Sequence, residues 1–133
     1  MALVGSKGPQ TNVRETFTVI DYTTNVTTGD GKYYYRVPDT LDGANLSYVA
    51  FAVITAGTTG STDIQIHNVT QAADMLSTVV IVETGETDSS TGAAAVIDVA
   101  NDDVAEGDIL RIDIDAVSTT PPQGVVMTLG FTL

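Results

Sequence analysis

Asp113 and Asp115 stand two residues apart in a strictly alternating segment, the first spacing in the chain that could carry chemistry. Leu110, Ile112, Ile114 and Ala116 share one parity, and Arg111, Asp113 and Asp115 share the other. That period of two is the signature of a strand with one buried and one wet face. Carboxylates so placed lie roughly 6–7 Å apart by strand geometry, which overlaps the separation used by paired glycosidase carboxylates. Such a pair needs one carboxyl raised by an apolar cleft. Arg111 on the same wet face points instead to a cross-strand ion pair.

Other groups invite chemistry too. His67 is the only histidine, and with no cysteine a zinc site would need three carboxylates around it. No Gly-x-Ser-x-Gly motif nominates a serine nucleophile, so His67 reads as a surface or interface residue. Asp98, Asp102, Asp103, Glu106 and Asp108 crowd one turn, the oxygen-rich setting that calcium favours. Their spacing does not match an EF-hand loop, and strand termination and edge solubility account for them. No metal or cofactor is assigned; Asp102, Asp103 and Asp108 come nearest to a metal site. Tyr33, Tyr34 and Tyr35 form the main aromatic cluster, with Tyr34 pointing opposite to its neighbours. Tyrosine is enriched at interfaces, and exposed tyrosines also stack sugar rings. Asn25, Asn45 and Asn68 match the glycosylation sequon, as chance allows in a chain so rich in threonine.

The elements that position these groups read as strands throughout. Glu15 to Tyr22, Lys32 to Val37, Leu46 to Ala56, Asp63 to Val69, Thr78 to Glu83 and Ala93 to Ile97 are β-branched or aromatic runs between turn residues. The segment after Gly107 and the closing run Gly124 to Leu133 complete eight. Leu46 to Ala56, apolar on both faces, is expected to be a central strand, Asn101 to Val117 to close an edge, and Leu133 to sit in the core. Gly57 to Ser61 reads as a hairpin-like connection and Gln71 to Leu76 as one helical turn. The expectation is an all-β, antiparallel eight-stranded jelly-roll sandwich over 13–133, preceded by an extended N-terminal arm over 1–12.

The bulk numbers narrow the functions. With 133 residues the chain is about one domain long. It carries 17 acidic and 5 basic residues, for a net charge of −12. Lys7, Arg14, Lys32, Arg36 and Arg111 are scattered, so neither nucleic acid nor an anionic membrane is an expected partner. No apolar run approaches the ~20 residues that span a bilayer, and the first residues lack the features of a signal peptide.

Several stretches resemble small β-rich virion proteins of tailed bacteriophages. They are Gly57-Thr-Thr-Gly-Ser-Thr-Asp-Ile-Gln-Ile-His-Asn-Val-Thr, Asp74-Met-Leu-Ser-Thr, Glu83-Thr-Gly-Glu-Thr, and the run from Val96 to Val117. The similarity covers roughly Thr28 to Leu133 and is to head decoration, or cement, proteins, with related jelly rolls in tail and fibre components. It implies a non-enzymatic virion protein, assembled in the host cytoplasm, that forms a homotrimer and binds the major capsid protein. Leu3, Val4, Lys7, Pro9, Tyr33, Tyr34 and Arg36 are the expected capsid or subunit contacts. The alternative is a receptor- or glycan-binding module using the Tyr33–Tyr35 face or the Gly57–Ser61 loop.

Overall fold

The structure, a computed structural model, describes residues 11–133. Among these residues the regular elements are strands, all antiparallel, joined by turns and two single 3-10 turns. One sheet has the order β1 (Asn12–Asn25), β10 (Gln123–Thr132), β3 (Asn45–Ala52). The second has the order β2 (Gly29–Arg36), β9 (Ile109–Ala116), β4 (Thr62–Asn68). The far edge of β4 is shared by β5 (Ala73–Asp74) at one end and β7 (Val80–Val82) at the other. A short pair, β6 (Leu76–Thr78) with β8 (Val96–Ile97), closes the side next to β3.

The inner faces of the two sheets make a β-sandwich core. Leu110, Ile112 and Ile114 of β9 and Ile64 and Ile66 of β4 are buried on one side. Val125, Met127, Leu129 and Phe131 of β10 are buried on the other. Each set is the apolar parity of its strand, which removes its side chains from water at about 25 cal/mol per Å². An aromatic ladder ties the sheets along one side. Phe17 stacks on Tyr33 with centroids 4.4 Å apart, and Tyr35 bridges Phe17 and Phe131 at 6.0 Å each. Burial, reinforced by the neighbouring Glu15 carboxylate, pushes the Tyr35 phenol up to about 12.

Several expectations change. The eight expected strands all have counterparts, with β5 and β6 added to them. These two replace the helical turn over 71–76, because Met75 N–H bonds Ile66 O at 2.8 Å and draws this segment into the sheet. Gln65, buried next to this junction, continues the ladder with its side chain. Its amide donates to Leu76 O at 2.9 Å and accepts from Leu76 N–H at 3.1 Å. The central strands are β9 and β10, so Asn101 to Val117 does not close an edge. β3 is not covered on both faces: it flanks β10, and its Tyr48 is 42% exposed. Gly57 to Ser61 is no hairpin, since it carries the chain from β3 in one sheet to β4 in the other. Leu133 bonds Thr11 O through its N–H at 2.9 Å, yet its side chain is half exposed. Of the arm expected over 1–12, Asn12 belongs to β1 and Thr11 bonds the C-terminal residue, while residues 1–10 lie outside the described residues.

One close approach fixes the outer face of the smaller sheet. Arg14 on β1 reaches across Gly130 on β10 to lie over the Tyr48 ring, 4.7 Å from its centroid. A Cβ on Gly130 would stand 2.4 Å from Arg14 Nη1 and 2.6 Å from Tyr48 Cβ. Arg14 can swing away, but the Tyr48 Cβ is held by its strand. Gly130→Ala is expected to cost about 1–3 kcal/mol by overpacking, measured by chemical denaturation; Thr128→Ala, one row along, serves as the reference.

Candidate functional site

The outer face of the larger sheet gathers most of the chemistry-bearing residues. Strand register sets Tyr34 opposite Arg111, Arg111 opposite His67, and His67 opposite Asp74. These four form one row across β2, β9, β4 and β5. His67 Nδ1 lies 2.7 Å from Asp74 Oδ1. Tyr34 is 59% exposed, while Tyr33 and Tyr35 turn inward to the aromatic ladder. The alternation expected of the three tyrosines therefore holds, with Tyr33 partly buried in the ladder. Arg36 stands on the outward parity of β2 and makes an exposed 3.9 Å pair with Glu106, of the kind that contributes little.

One row further along, Asp113 is buried and engaged from two sides. Arg111 grips it through Nε at 2.7 Å and Nη2 at 2.9 Å, and Gly31 N–H donates to it at 2.9 Å. The Arg111 guanidinium also reaches Asp30 at 3.4 Å, which makes the cross-strand ion pair. The face expected to be wet is thus partly closed. Burial comes first in raising the Asp115 carboxyl above its ordinary value, followed by the charges of Asp113, Asp30, Asp74 and Asp63. Asp113 is clamped by a bidentate arginine, and the two grooves lined by Tyr48 and Ala50 lie along β3, away from the two carboxylates.

The acidic turn before β9 holds a different surprise. Asp108 is buried and its Oδ2 accepts three hydrogen bonds: from Asn68 Nδ2 at 3.0 Å, Gln71 Nε2 at 2.8 Å and Ala105 N–H at 3.1 Å. Burial alone would raise this carboxyl, but the donors outweigh it and hold it below the usual value. Asp108 is therefore an internal tie between the β4–β5 turn and the turn before β9. It does not solubilise an edge, and an oxygen crowded by donors is a poor cation ligand. Asp102, by contrast, is raised, by burial and by the nearby Asp103 and Asp98. Among the described residues no three His, Asp or Glu side chains converge as a metal cage. Asn68 is buried in this network, so its sequon is not accessible in the fold.

The remaining expected contacts, Leu3, Val4, Lys7 and Pro9, lie outside the described residues. Sequence reasoning missed the Asn68–Gln71–Asp108 network and the Arg14–Tyr48 stack. Both depend on cross-strand register, which pairs residues 40 or 34 positions apart and leaves no local spacing to find. It also missed the outer face of the smaller sheet as a unit. That face consists of Asn12, Arg14, Thr16 and Thr18 on β1; Val126, Thr128, Gly130 and Thr132 on β10; and Asn45, Tyr48, Ala50 and Ala52 on β3. Hydroxyls pair across it, Thr16 with Thr128 at 2.9 Å and Thr132 with Asn12 at 2.8 Å. None of these paired residues is acidic, but two acids border them: Asp21, exposed further along β1, and Asp88, which bridges to Ala52 and whose carboxylate accepts from Ser90 N–H at 2.8 Å.

Asp108→Ala leaves three donors without their acceptor and is expected to destabilise the fold by about 2–3 kcal/mol at neutral pH. A carboxyl held below its unfolded value stabilises fully above that value, about 4, and loses the contribution as pH falls through the folded value. Urea denaturation at pH 7 and pH 3 should show the gap between wild type and Asp108→Ala narrowing in acid. Comparison of the sequence with protein-family models finds no match, and comparison with curated proteins finds none either, so the functional reading rests on these two sheet faces and on the resemblance.

Proposed function

We propose that this chain is a virion structural protein of a tailed bacteriophage, a jelly-roll capsid decoration protein that binds the outside of the shell and stabilises it as a homotrimer. The strand orders support the fold part of that reading. β1, β10 and β3 facing β2, β9, β4 and β7 are compatible with a jelly-roll order, in which the segment Thr87–Thr91 beside β3 would take the place of the remaining strand.

The observation that carries the function is the segregation of charge. In a chain of net charge −12, one sheet face holds Asp30, Asp74, Asp113 and Asp115 beside Arg36 and Arg111, while the paired residues of the opposite face include one arginine and no acid, with Asp21 and Asp88 only at its borders. A protein that lies flat on a large assembly needs one face it can desolvate cheaply, and acids are the costly groups to bury. The threonine-rich face of β1, β10 and β3 is that base. The acidic face then points to solvent and keeps coated particles apart. This moves the expected contact away from Tyr34 and Arg36, which belong to the solvent side.

Co-sedimentation with shells lacking the protein tests the reading. Wild type should bind to a saturating, fixed copy number. Thr128→Glu should lower binding at least tenfold, and Tyr34→Ala should leave it unchanged. Binding that survives Thr128→Glu but not Tyr34→Ala would overturn the orientation, and no binding by wild type would overturn the function.

One observation favours a second reading, a glycan- or receptor-binding tail module. The exposed Tyr34 ring stands in a row with the hydrogen-bonding groups of Arg111, His67 and Asp74, a combination that suits a sugar. On a glycan array this reading expects a signal that Tyr34→Ala removes, and an empty array dismisses it.

A further inference from the structure

The edge of β3 away from β10 is tied at both ends and open in the middle. Leu46 N–H donates to Asp102 O at 2.7 Å, Phe51 N–H to Ser89 Oγ at 3.1 Å, and Val53 N–H to Thr87 O at 2.8 Å. The period of two turns the N–H and C=O of Val49 to this same edge. No described residue meets them there. The cause is local. β8 pairs with β6, through Leu76 with Ile97 and Thr78 with Val96, so the chain that would flank β3 stands off. The gap is a slot of about 340 Å³ between Tyr48 and Val49 on one side and Ala94, Ala95 and Ile97 on the other, with Val80 also lining it. No charged side chain lines it among the described residues.

An open main-chain ladder beside an apolar slot suits an extended backbone, which supplies hydrogen bonds to the edge and alternate side chains to the wall. We propose that the occupant is Met1–Val4 of a second copy of this chain, so that copies are joined through their N-terminal segments. The inference rests on the self-association in the reading above and names the residues that produce it.

Length, chemistry and charge each support this occupant. The open stretch of β3 runs from Ser47 to Ala50, and Met1-Ala-Leu-Val4 is an apolar run of matching length. Six residues, Gly5 to Gln10, connect that run to the sheet and can span up to about 20 Å. A chain's own segment is badly placed to enter. Thr11 leaves the sheet at the Asn12–Thr132–Asn45 end, and there the slot is shut by the Leu46–Asp102 bond and the Asn45–Asp103 bridge. A second copy can approach from the open side instead. Two bodies of charge −12 repel, but a run without charged side chains entering a slot without charged side chains brings no two acids together.

The test is the oligomeric state with no shell present, so that its failure is separate from any failure of shell binding. Light scattering after size-exclusion chromatography would compare the full chain with two variants. One lacks residues 2–5 (or carries Leu3→Asp) and keeps the slot; the other, Ala94→Trp, fills the slot at an exposed rim position and keeps the segment. The full chain should associate, each variant alone should be monomeric with an unchanged circular dichroism spectrum, and an equimolar mixture should give a one-to-one heterodimer. A monomeric full chain, a truncated chain that still associates, or a mixture that stays monomeric would each overturn the proposal. A truncated chain that only loses thermal stability, with association unchanged, would assign the slot to the chain's own segment and overturn it equally.

Discussion

The structure depends on the contact between two strands from the last quarter of the chain. β9 presents Leu110, Ile112 and Ile114 to the interior, and β10 presents Val125, Met127, Leu129 and Phe131, all buried. Each strand is the centre of its own sheet, so every large strand of the sandwich pairs directly with one of the two. The N-terminal strands therefore have no partners until the C-terminal quarter has been made. β1 must pair with residues more than a hundred positions away, Asn12 with Thr132. Loop-closure entropy opposes such pairings, and the buried apolar parity of the two central strands is what repays it.

Once parity assigns the inner faces, the outer faces have no freedom left. Residues alternate with those of the core, so whatever the sequence places on the other parity becomes a surface of fixed composition. On β9 that parity is Arg111, Asp113 and Asp115; on β10 it is Val126, Thr128, Gly130 and Thr132. The two sides of the sandwich thus differ in charge because the two central strands differ in sequence. The flanking strands follow suit: β1 adds threonines and Arg14 to the acid-poor side, and β2 and β5 add Asp30 and Asp74 to the acidic side.

The period-two pattern made the all-β class and the inner faces of β9 and β10 legible in the sequence, since parity is a local property. Neighbour relations were not legible. Leu46 to Ala56 looks central because it is apolar on both parities, yet Tyr48 is needed outside to receive Arg14, and Ile54 lies beyond the strand, half exposed. Asp113 and Asp108 looked like surface acids because a strand's outward parity and a polar turn are ordinarily wet. Their burial comes from residues far away in sequence: Gly31 on β2 for Asp113, and Asn68 and Gln71 around the β4–β5 turn for Asp108. The difference between the faces of the two sheets was out of reach for the same reason, because it requires knowing which strands share a sheet.

The carboxylates show how far a site can be argued from residue type. Asp108 is held below its ordinary value by amide donors, and Asp115 is held above it by burial and by four neighbouring acids. Opposite shifts of this kind, side by side in a cleft, would mark an acid and a base. Here they lie in different places: one inside a turn junction with its oxygen saturated, the other on an open sheet face with its nearest strand-mate clamped by Arg111. The first shift stabilises a connection. The second comes first from burial and then from acids gathered on one side of the molecule, the counterpart of the acid-poor face opposite.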